Sequence, residues 1–89
     1  PIEDCLCRHP AVAMAAAVGI PDPVRTELVK AWVVVKPGVL STPVLATELQ
    51  AWVRDRLAAH EYPRVVAFTD ALPMTATGKI IRKDLRALG

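Results

Sequence analysis

From Ala11 to Ile20 the chain reads AVAMAAAVGI, a continuous apolar run that fits a buried strand or a buried helix equally well. Its alanines favour helix by intrinsic propensity. The flanks decide for strand: Pro10 precedes the run, the turn-rich PDPVRT follows it, and LVKAWVVVK beyond is rich in β-branched residues. The two runs predict an antiparallel pair, with the first strand buried on both faces. In VLATELQAWVRDRLAAH the rhythm changes to a 3-4 spacing that places Leu45, Leu49, Trp52, Val53 and Leu57 on one face of an amphipathic helix. Ser41 or Thr42 caps this helix and Pro43 enters its first turn. Upstream, IEDCLCRH reads as a short helix with Ile2 and Leu6 one helical step apart, Glu3 and Asp4 in the first turn, and His9-Pro10 at its end. After Pro63, RVVAFTD predicts a short third strand and ALPMTATG a loop. A last helix is predicted from Lys79 or Ile80 to Leu88, with Ile81, Leu85 and Leu88 inward.

The order α-β-β-α-β-α defines the fold class as α+β: a small layered domain of about three strands, an antiparallel pair plus a short third strand, packed with about three helices. Residues 1–89 make a single domain, since a chain of 89 residues has room for one core. The 53% hydrophobic fraction is mostly Ala and Val with few aromatics, which predicts a tight core of small side chains. Eleven basic against nine acidic residues give a net charge of +2, too mild to mark a nucleic-acid binder. The basic residues do concentrate in GKIIRKDLR, where a local field can meet a local anion. Cys5 and Cys7 have the spacing of neither a zinc knuckle nor a redox pair, so both read as free thiols in a reducing compartment, and the cytoplasm is the expected location. No apolar run reaches the roughly 18 residues that a bilayer requires. The chain opens on PIEDCLCRHP with neither an initiator methionine nor a secretory leader, and is expected to be an excised piece.

Candidate chemistry is sparse. There is no glycine-rich phosphate loop after a strand, no pair of carboxylates on one helix face, and Ser41 is the only serine. His9 and His60 read as helix-end dipole or cap contacts, and Asp22 between two prolines as a turn residue. TATGK is different, because two hydroxyls and a glycine beside Lys79 let backbone and side chain approach an anion closely. If the last helix begins at Lys79, then Lys79, Arg82, Lys83 and Arg86 share one face. From spacing alone that face is equally a solvated basic surface.

Taken in order, IEDCLCRHPAV, VGIPDPVRTELVKAWVVVKPG, ELQAWVRDRL, HEYPR and FTDALPMTATGKIIRKDLR closely resemble the C-terminal domain of acyl-CoA synthetases. These enzymes belong to the adenylate-forming superfamily, with luciferases and the adenylation domains of peptide synthetases. VRTELVKAWVVVKPG and TATGKIIRKDLR look like the short- to medium-chain acyl-CoA synthetase versions. The resemblance implies a two-step reaction in which ATP and a carboxylate give an acyl-adenylate and diphosphate, and CoA then displaces AMP to form the thioester. It implies that a large N-terminal domain binds ATP and the acyl group, with Mg2+ bound outside the present chain. The small domain turns to present one face for each half-reaction.

On this resemblance Lys79 is the adenylation lysine, and Thr75, Thr77 and Gly78 position the loop that carries it. Arg54 matches an arginine near the CoA phosphates, with surface pairing to Asp55 or Glu61 as its plainer reading. Arg82, Lys83 and Arg86 are weaker candidates for the same CoA phosphates, and no metal ligands are expected. Glu61 and Met74 stand where many relatives have lysine, and the hinge and glycine-rich hairpin that usually precede IED are missing. Adenylation by this chain alone is not expected. Acylation of Lys79 would remove its charge and disable it. The competing readings are a free-standing basic module that binds nucleic acid and a docking domain for an acidic carrier protein.

Overall fold

A computed structural model of the chain describes residues 1–24, 26–57 and 62–88. These residues form α1 (Ile2–Cys7), β1 (Val12–Asp22), β2 (Thr26–Val35), α2 (Pro43–Arg56), β3 (Val65–Phe68) and α3 (Arg82–Ala87). The α+β class and the order α-β-β-α-β-α are as the sequence predicts. β2 lies in the middle of the sheet, antiparallel to β1 and parallel to β3. The parallel pairing follows from connectivity, because α2 carries the chain back over the sheet before β3 begins.

β1 carries an extra residue between Val12 and Met14, where the register against β2 shifts. This bulge lets Val12 and Ala15 face the same side although they are three apart, with Ala13 exposed beside them. Adjacent Ala15 and Ala16 are both buried, so β1 is covered on both faces as its unbroken apolar run implies. On one face Val12, Ala15, Ala31 and Val33 pack against Cys5 and Leu6 of α1 and Leu45, Leu49 and Val53 of α2. On the other, Ala16 and Val18 meet Leu72 and Leu85, with Trp32, Val34 and Ile80 around them. Three layers result, helix pair, sheet, then hairpin and α3.

α2 begins where Thr42 accepts the Leu45 N–H at 3.1 Å, which selects Thr42 over Ser41 as the cap. Its apolar seam is the one that the 3-4 spacing defines, and Trp52 adds a tie by donating Nε1–H to the Cys5 carbonyl at 2.8 Å. Burial of Leu6, Leu49 and Val53 contributes about 1.5–3 kcal/mol for each side chain. α1 is shorter than predicted, ending at Cys7. His9 turns inward beyond it: Nδ1 accepts the Ala11 N–H at 3.0 Å and Nε2 meets Glu48. The amide fixes the tautomer, so Nε2 carries the proton that Glu48 receives. His9 is therefore a buried link between the α1–β1 turn and α2, not a dipole contact. His60 lies outside the described residues.

Asp22 does serve as a turn residue, accepting the Val24 N–H at 3.2 Å. The last helix departs from expectation. It starts at Arg82, not at Lys79 or Ile80, and Leu88 is 69% exposed rather than inward. Leu85 is buried as expected, and Ile80 rather than Ile81 or Leu88 packs beside it.

Candidate functional site

Residues 74–80, predicted as loop and helix start, fold as a tight hairpin closed by a bridge between Met74 and Ile80. Thr75 organises it. Its N–H donates to the Lys79 carbonyl at 2.8 Å, and its carbonyl accepts the Gly78 N–H at 2.9 Å. Its Oγ1 accepts the Lys79 N–H at 3.1 Å and lies 3.0 Å from the Thr77 hydroxyl. Gly78 closes the turn with φ +86°, and a Cβ added there would meet nothing within 4 Å, so glycine is needed for conformation rather than space. The arrangement is a three-residue hairpin with its glycine in the left-handed position. One base of the hairpin is fixed by the Ile81 N–H donating to the Pro73 carbonyl at 2.8 Å.

Lys79 thus leaves a braced hairpin, not a helix. Its backbone is bonded on both sides to Thr75, while its exposed ammonium has no hydrogen-bond or ion-pair partner among the described residues. The shared helical face of Lys79, Arg82, Lys83 and Arg86 does not form, because the Thr75 and Gly78 bonds hold the chain out of helix until Arg82. Lys83 and Arg86 are exposed on α3. Arg82 is engaged elsewhere, its Nη2 donating to both carboxylate oxygens of Glu3 at 2.5 and 2.7 Å. Glu3 in turn accepts the Ala17 N–H at 2.7 Å.

Burial alone would raise the Glu3 pKa, but the Arg82 guanidinium and the Ala17 amide outweigh it and hold the carboxyl below its ordinary value. Glu3 pushes Arg82 up correspondingly. Sequence reading misses this pair because its members stand at opposite ends of the chain. Nothing local to either residue signals the other.

Arg54 stands on α2, in the layer across the sheet from the hairpin. Its guanidinium lies 5.7 Å from the centre of the Tyr62 ring, and Arg64 approaches the same ring at 4.6 Å. Arg54 makes no ion pair with Asp55 among the described residues, and Glu61, its other expected surface partner, lies outside them. Cys5 is buried and Cys7 is at the surface, and neither is bridged. Burial pushes the Cys7 thiol up, only partly offset by the Ala15 amide. Among the described residues no three His, Cys, Asp or Glu side chains converge. No described helix is long and apolar enough to cross a membrane.

Residues 1–79 match the family of the AMP-binding enzyme C-terminal domain. The chain belongs to that family. It is similar to the human mitochondrial acyl-coenzyme A synthetase ACSM1, 51% identical over 87 residues and covering 96% of this chain and 15% of the relative. The 4-hydroxybutyrate–CoA ligase 1 of Metallosphaera sedula is 46% identical over 85 residues, again covering 96% of this chain and 15% of the relative. Among solved structures, an acyl-CoA synthetase of Brucella canis superposes with a TM-score of 0.95 at 52% identity, over 98% of this chain and 16% of that one. The chain therefore spans about 15% of the length of the curated relatives it matches. The matched segment of this AMP-binding C-terminal domain takes in the whole 75–79 turn and closes on Lys79.

Proposed function

We propose that this chain is the mobile catalytic lid of an AMP-forming acyl-CoA synthetase, with Lys79 acting in formation of the acyl-adenylate. The observation that carries the reading is an ammonium without a partner among the described residues, held out on a hairpin whose backbone is fixed by Thr75, Thr77 and Gly78. A side chain presented this way completes a site that lies elsewhere, on the N-terminal domain that binds ATP and the acyl group. Attack of a carboxylate on the α-phosphate brings two anions together, and a compact ammonium touching both offsets their repulsion as the charge develops. Lysine suits the role as a flexible point charge that withdraws when the domain turns. Entry of the hairpin also closes the site to water and protects the adenylate.

The thioester step uses the opposite layer. Arg54, across the sheet from Lys79, is the leading contact for the CoA phosphates, ahead of Lys83 on the hairpin's own side. Arg82, expected beside them, is not proposed for that role, since Glu3 already holds it. An exposed cation on each side of one sheet supports a reading in which each half-reaction uses a different face. Mg2+ is assigned to the N-terminal domain, and the free thiols fit a reducing compartment such as the cytoplasm. The alternative of a basic module for nucleic acid draws no support, because the Glu3 carboxylate occupies one of the few clustered cations.

In the full-length enzyme, Lys79→Ala lowers the adenylation rate by about 10³-fold while thioester formation from supplied acyl-adenylate persists. Single-turnover assays of the two half-reactions read this out. Equal loss of both would mean that the substitution damages the domain rather than the chemistry.

A further inference from the structure

The hairpin is braced within itself, yet something must also fix its position on the sheet. α3 is poorly suited to do so alone, because it is six residues long and Ile81 at its N-cap makes no side-chain cap bond. Arg82 is the first residue of that helix and stands three positions after Lys79. Its guanidinium reaches past the outer edge of β1 to Glu3, on the helix that covers the opposite face. Glu3 is itself tied to that edge through the Ala17 amide.

We propose that Glu3 and Arg82 form a positioning pair that sets the placement of the Lys79 hairpin for adenylation. The inference rests on the reading of Lys79 above. The pair is the one direct side-chain link among the described residues between α1 and α3, so it fixes the hairpin's downstream strand against the first helix rather than against its own short helix. A half-exposed ion pair contributes little to stability, and what it does contribute here is location. Displacement of a reacting group by about 1 Å costs on the order of 100-fold in rate. The depressed Glu3 carboxyl agrees with a pair that stays ionised through the neutral range.

The test uses the full-length enzyme. Glu3→Gln keeps an acceptor for the Ala17 amide but removes the charge that holds Arg82. The expected result is a fall of about tenfold or more in the ratio of adenylation rate to thioester rate, at unchanged KM for ATP. Arg82→Gln should lower adenylation to a similar degree, the double variant should be no slower than the worse single one, and Arg82→Lys should recover part of the loss. In a Lys79→Ala background Glu3→Gln should have no further effect, since the group being placed is gone. Equal loss of both half-reactions, no loss of either, additive single effects, or a further fall in the Lys79→Ala background would each overturn the proposal. Failure of the lysine reading itself is recognised separately, by Lys79→Ala leaving adenylation intact.

Discussion

The two sides of the sheet are built to different standards. On one side a fourteen-residue helix, α2, is capped by Thr42, seated through Leu45, Leu49 and Val53, and tied to α1 by Trp52. On the other, six residues of α3 lack a side-chain cap and share a small cluster with a hairpin whose bonds are mostly its own. Stability concentrates on the first side. The second presents a cation. A domain that must hold its shape while one side enters and leaves another active site benefits from this division, because changes to the presented side need not pass through the main core.

The strongest challenge to that division is a cavity on the stable side. Leu49 is fully buried, and Leu49→Ala should lower unfolding free energy by about 3–4 kcal/mol, measured as a fall in the urea midpoint at constant m. Both half-reactions of the full-length enzyme should then fail together on warming. If adenylation alone were lost, the assignment of the two sides would be reversed.

A smaller and more selective effect is expected at the hairpin. Gly78→Ala forces a side chain into φ +86°, at a cost of about 1 kcal/mol, with no steric clash to add to it. The midpoint should therefore move little. Adenylation should fall while thioester formation from supplied adenylate holds, because the turn that aims Lys79 relaxes and α2 does not. A drop in the midpoint as large as that of Leu49→Ala would show that the hairpin is part of the main core.

The same contrast governs what could be read from the chain. The seam of α2 was legible because burial repeats with the helical period within one local segment, and β1 and β2 because an unbroken apolar run met a β-branched one across a turn. The TATG part of the hairpin reads as loop, but the helix is begun too early, at Lys79 or Ile80, because Lys79, Arg82, Lys83 and Arg86 have helical spacing. Charged residues at that spacing report no burial, and so carry little information about structure. The overlooked signal was Thr75 followed three residues later by Gly78, the pattern of a three-residue turn with glycine in the left-handed position. The part proposed for Lys79 comes from the family resemblance rather than from any local rule. The parallel direction of β3 and the Glu3–Arg82 link had no local signature at all, since each depends on the chain having already folded.

The finest test of the contrast is acid. Because the Glu3 carboxyl is held below its ordinary value in the folded chain, its contribution to stability is fully present above the unfolded-state pKa of roughly 4.3 and is lost as pH falls through the lower folded value. Glu3 is only partly buried, so solvent screening keeps this contribution small. At pH 7 the parent should exceed Glu3→Gln slightly in urea midpoint, and the gap should close as the pH drops below about 4. Added salt at pH 7 should narrow it as well, since a half-exposed pair is open to screening. A gap that stayed constant across this range would assign the effect of Glu3 to the Ala17 hydrogen bond alone, which glutamine preserves in part, and would leave α3 without an electrostatic anchor.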